Sequence, residues 1–132
     1  MRVINLSLGG LIESTSLTSA IQYAVDKGVL VVAASGNGFA DAAPKWPAAS
    51  DLTLAVTSTD INNNVGIFAQ RGDYIDIAAP GVNILSTALG GYKALNGTSM
   101  SAAFISGAAA LLFSAQPTIT SVSYTHLRAH ET

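Results

Sequence analysis

A three-layer α/β fold, with a mostly parallel sheet and helices on both faces, is predicted by two patterns and a composition. Leu30 to Ala34 is a continuous apolar run, as expected of a parallel strand covered on both sides. A strand at Val3 to Ser7 and an amphipathic helix precede it, and short connections between the three make a right-handed crossover unit. The chain of 132 residues is 49% hydrophobic and 11% charged, whereas about a quarter of residues are charged in ordinary domains. That imbalance fits a buried parallel sheet, or a chain with apolar surface meant for another segment. The length fits a single domain with a substantial core.

The elements follow in order. The first strand runs into a turn at Gly9-Gly10. Leu17, Ala20, Ile21, Ala24 and Val25 then share one helical face, with Lys27 in the last turn and Gly28 placed as the stop. Gly38 to Asp51 reads as a loop, and Thr53 to Thr57 restarts strand structure. Shorter strands are expected at Val65 to Phe68, Tyr74 to Ala78 and Ile84 to Thr87, with Pro80-Gly81 turning the chain between the last two. Tyr92 to Leu95 and the turn Asn96-Gly97 lead into a long helix that Pro117 ends. Its apolar residues Met100, Ala103, Phe104, Gly107, Ala108, Leu111, Leu112 and Ala115 have the spacing of a packed face. The apolar run from Met100 to Phe113 is shorter than the roughly 20 residues of a membrane span, so it reads as a core helix. From Ser121 onward neither period is present, and this stretch carries both histidines, His126 and His130. The expected division is a folded unit over 1–120 and a disordered or non-native tail over 121–132.

Composition excludes several functions. The net charge of -2 and the scatter of Lys27, Lys45, Arg71 and Lys93 leave no basic patch for nucleic acid. Without cysteine there is no disulfide framework and no thiolate chemistry. Met1-Arg2 leads straight into a strand pattern, without the apolar stretch of a signal peptide.

Asn96-Gly97-Thr98-Ser99-Met100-Ser101-Ala102 is the most informative stretch. It places Ser99 in the first turn of a helix, where unpaired N–H groups and the positive end of the dipole favour a developing negative charge. A hydroxyl there is a candidate nucleophile; equally, Thr98 or Ser99 is a plain helix N-cap. Gly36-Asn37-Gly38 follows a strand and is a good turn by itself. It hints at a phosphate loop, but the third glycine is absent and Pro44 and Pro47 follow in place of a helix, so the dinucleotide fingerprint fails.

Four motifs taken together go further. Val3-Ile4-Asn5-Leu6-Ser7-Leu8-Gly9-Gly10, Val31-Val32-Ala33-Ala34-Ser35-Gly36-Asn37, Ala79-Pro80-Gly81 and Gly97-Thr98-Ser99-Met100 stand in the order and approximate spacing of the subtilisin-like serine peptidases, the peptidase S8 family. The chain resembles the C-terminal part of that catalytic domain from about Val3 to about Thr120. The resemblance implies a serine endopeptidase of subtilisin-like fold, with peptide or protein substrates and an extracellular location. It implies Ser99 as nucleophile, with its own N–H and the Asn37 side chain as oxyanion donors. Ser7, Leu8, Gly9 and Gly10 would pair with the substrate backbone, and Ala33, Ala34, Ser35 and Gly36 would form the opposite pocket wall, small enough to admit bulky side chains. Trp46-Pro47-Ala48 lies where relatives often have a cis bond; a trans proline is the equal alternative. Asp76 aligns with a cation position of some relatives, but one carboxylate is usually just solvated, so no metal or cofactor is assigned, a structural calcium in the complete protein aside. The family's order is Asp, His, Ser, yet no histidine precedes Ser99. The expected partner is therefore a missing N-terminal part of the same domain, without which the chain is expected to be inactive. Where relatives usually have Pro and His after the serine, this chain has Ala103 and Phe104, which keeps a non-catalytic peptide-binding relative in play. The catalytic reading requires the Asn37 nitrogen and the Ser99 backbone nitrogen to lie within about 6 Å, and a separation above about 10 Å would reject it.

Overall fold

In the computed structural model, which describes residues 1–120, four parallel strands lie side by side in chain order. They are β1 (Val3–Leu6), β2 (Leu30–Ala34), β3 (Leu54–Thr59) and β4 (Ile77–Pro80). Their register pairs Val3 with Leu30, Val32 with Leu54 and Val56 with Ile77. α1 (Thr15–Asp26) crosses from β1 to β2, and α2 (Thr98–Ala115) packs across all four strands. β5 (Ile84–Ala88) and β6 (Gly91–Leu95) form a separate antiparallel hairpin that leads into α2.

Alternation along β2 divides the core. Leu30, Val32 and Ala34 pack with Val56, Ala79 and the α2 residues Ala102, Ala109 and Phe113. Ala33 faces the other way, with Ala55 and Ala48. α1 packs on β2 through its buried Ile21 without joining the first cluster, which puts a helix on each face as the sequence predicts. Every residue of β2 is buried, and that explains its uninterrupted apolar run. Past the end of α2, the Arg2 guanidinium lies 4.3 Å from the centre of the Phe113 ring and donates to the Pro117 and Ile119 carbonyls. The chain after α2 is thereby tied to the start of β1.

Three expectations are corrected. The face of α2 read as packed is turned outward: Ala103, Phe104, Gly107, Ala108, Leu111, Leu112 and Ala115 are exposed, while Thr98, Ser101, Ala102, Ala109 and Phe113 are buried. α2 is apolar nearly all round, so periodicity could not choose its inner face; polar bonds from Thr98 and Ser101 do. By length and composition α2 is the one helix among the described residues able to cross a membrane, but only 28% of it is buried here. Val65 to Phe68 is not a strand; Val65 makes a lone bridge to Thr59. The strand expected from Tyr74 begins at Ile77 instead, because the Ile75 N–H closes a turn on the Gly72 carbonyl. The expected tail, 121–132, with His126 and His130, lies outside the described residues.

Candidate active site

Ligands of open α/β sheets bind outside the carboxyl ends of the strands, and there the chain forms a cleft of about 190 Å³. Ser7, Leu8 and Gly9 line it from the end of β1, Ala34, Gly36 and Asn37 from the end of β2, Thr98 and Ser99 from the start of α2, and Lys45 from the loop between β2 and β3.

The start of α2 has no side-chain cap of its own. Its N-cap is Gly97, so neither Thr98 nor Ser99 holds the capping position. A cap arrives from a distant loop instead: Asn37 Oδ1 accepts from Thr98 N at 3.0 Å and from Thr98 Oγ1 at 3.0 Å. A backbone N–H can only donate, which fixes the oxygen of the Asn37 amide on Thr98 and leaves Nδ2 as a donor directed elsewhere. Thr98 Oγ1 also accepts from Gly36 N at 3.1 Å, so one buried hydroxyl ties Gly36 and Asn37 to the residue before Ser99. The Ser99 N–H, next in the chain, has no intrahelical acceptor. Summed bond lengths place it within about 7 Å of Asn37 Oδ1.

Ser99 faces β1. Its Oγ lies 3.5 Å from the Ser7 carbonyl, while Ser7 Oγ donates to the Ser99 carbonyl at 2.9 Å. The first contact is at the outer limit of a hydrogen bond, so the nucleophile candidate is only lightly held.

Of the other residues expected here, Gly10 pairs with Trp46 through two backbone bonds of 2.8 and 2.9 Å beside the cleft. The Trp46-Pro47 bond is cis. Ala33 and Ser35 do not reach the cleft. Pleating turns Ala33 into the core, and Ser35 is fully buried, so Ala34 and Gly36 alone make that wall. Among the described residues no group of three or more His, Cys, Asp or Glu could hold a metal ion.

Several supporting residues gave no sign in the sequence. Gln70 is fully buried; its Nε2 donates to the Ala42 and Ala43 carbonyls at 3.2 and 2.6 Å, and its N–H donates to Gly36 O at 3.1 Å. Gly36 has φ 114° and lies so close to this side chain that a Cβ would overlap Gln70 Oε1. Tyr74 Oη donates to the Ser35 carbonyl at 3.2 Å, and partial burial raises its pKa, so it stays a donor across the neutral range. Ser101 Oγ donates to the Ala79 and Pro80 carbonyls at 3.0 and 3.2 Å and lies 2.9 Å from Ser58 Oγ. Its single proton is committed to the carbonyls, so Ser58 is the donor between the hydroxyls.

Comparison with known proteins matches this arrangement to one family. The model of the Subtilase family, Peptidase_S8, matches residues 1–132. Subtilisin BL of Lederbergia lenta is 47% identical over 92% of this chain and 45% of its own length. Thermitase of Thermoactinomyces vulgaris is 45% identical over 86% of this chain and 40% of its own. Among solved structures, a cold adapted subtilisin-like serine proteinase superposes with a TM-score of 0.86 and 39% identity, covering 95% of this chain and 46% of that one. The chain thus spans less than half the length of these relatives.

Proposed function

The chain belongs to the subtilase family, and from that premise we propose that it carries the nucleophile and oxyanion hole of a serine endopeptidase. Ser99 Oγ attacks the carbonyl carbon of the scissile peptide, and a base takes its proton. The Ser99 N–H and Asn37 Nδ2 stabilise the oxyanion that forms. Ser7 to Gly9 supply an edge for main-chain pairing with an extended peptide, Gly10 being already taken by its two backbone bonds to Trp46, and Ala34 and Gly36 face it across the cleft. The observation that carries this reading is the clamp on Thr98. It ties the amide oxygen of Asn37 to the start of α2 and leaves Nδ2 as the donor in the cleft that Asn37 and Ser99 both line.

Acyl transfer by serine calls for no cofactor, but it does call for a base. We place the base and its carboxylate partner in the stretch of the relatives' length that this chain does not match. That stretch would cover the outward face of α2, where Phe104 and Leu111 are 50% and 74% exposed; apolar patches of this kind mark contact surfaces. An extracellular location belongs to the same proposal and rests on kinship alone.

The 132-residue chain should not hydrolyse peptides at a rate near that of a complete subtilase. Joined to the complementary portion of Subtilisin BL, it should gain hydrolysis that Ser99→Ala abolishes. Ser99-dependent turnover by the chain alone, at the rate of the complete enzyme, would contradict the placement of the base.

A further inference from the structure

We infer that the cleft selects an acidic side chain on the residue whose carbonyl Ser99 attacks, an inference that rests on the peptidase reading above. Among the described residues Lys45 is the only ionisable one lining the cleft, and no carboxylate there pairs with it. Its stem is held from two sides. A Cβ on Gly9 would lie 3.3 Å from Lys45 Cβ, and a Cβ on Gly36 would lie 2.7 Å from Lys45 Cγ. The glycines of both walls therefore leave room for this lysine. The next residue is fixed by the paired backbone bonds between Gly10 and Trp46, so the ammonium is tethered only two methylenes beyond the gripped part of the stem.

The alternatives to an acidic occupant are each unfavourable. An apolar side chain entering the cleft would strip water from the ammonium and return no hydrogen bond. A cationic side chain would meet a like charge. A carboxylate supplies a charge-assisted partner to an ammonium whose stem is already held before binding. Small walls at Ala34 and Gly36 leave room for the bulky side chains expected from sequence, but Lys45 adds a sign to that preference.

The test is binding of acetyl-Ala-Ala-Pro-X amides, with X glutamate, glutamine, phenylalanine or lysine, to the 132-residue chain, read by nuclear magnetic resonance titration. The glutamate peptide should bind about ten-fold more tightly than its neutral isostere glutamine, and the gap should narrow at high salt. Lys45→Met should abolish the gap, Lys45→Arg should keep it, and Lys45→Glu should turn the preference toward the lysine peptide. Equal binding of the glutamate and glutamine peptides, or a gap unchanged in folded Lys45→Met, overturns the inference and leaves the peptide cleft standing. Failure of all four peptides to bind overturns both.

Discussion

Gly81→Ala should destabilise the fold by roughly 3 kcal/mol, the upper end for forcing an extra methyl into a packed core. A Cβ at Gly81 would run into the hydroxyls of Ser101 and Ser58 and lie 2.8 Å from the Gly97 carbonyl. None of these can retreat cheaply. Ser58 and Ser101 are completely buried and bonded to one another, and Gly97 N donates to the Gly81 carbonyl at 2.8 Å. The methyl would therefore push the start of α2 off the ends of β3 and β4. Denaturant unfolding of the two chains checks this; equal midpoints would show that the contact is softer than its geometry.

Asn37→Asp separates the two duties of the Asn37 amide. A carboxylate can still accept from Thr98 N and Oγ1, so the cap on α2 should survive and stability should change by less than about 1 kcal/mol. The donor toward the cleft is lost, and a negative charge is set beside the developing oxyanion. In the chain joined to the complementary portion of Subtilisin BL, the rate should fall by at least about 100-fold, in keeping with about 2.7–4 kcal/mol known for loss of this donor in subtilisin itself, so the size is the family's. A large loss of stability with an unchanged rate would assign Asn37 to structure alone.

These two residues also mark how far the sequence can be read. Asn37 and Ser99 were legible because each sits in a local motif whose order along the chain is informative. The parallel sheet was legible because β2 is apolar without a break. The inner face of α2 was not, since a helix apolar on both sides presents no period to choose between; its orientation is set by Ser101 meeting Ser58 and by Thr98 meeting Asn37, contacts between residues 43 and 61 positions apart. Lys45 and Gln70 went unread for the same reason. A lone lysine in a loop counts as solvated charge until two glycines distant in sequence close on its stem, and a glutamine looks like surface until a left-handed glycine leaves space beneath it.

The central claim is that Ser99 becomes a nucleophile in a cleft shared with Asn37. It is tested most directly by treating the completed protein with a serine-reactive phosphonate and locating the label by peptide mass spectrometry. One phosphonate per molecule is expected on Ser99, lost in Ser99→Ala and strongly slowed in Asn37→Asp. A folded, peptide-binding protein that leaves Ser99 unlabelled, or takes the label on Ser7 or Ser101 instead, would contradict it.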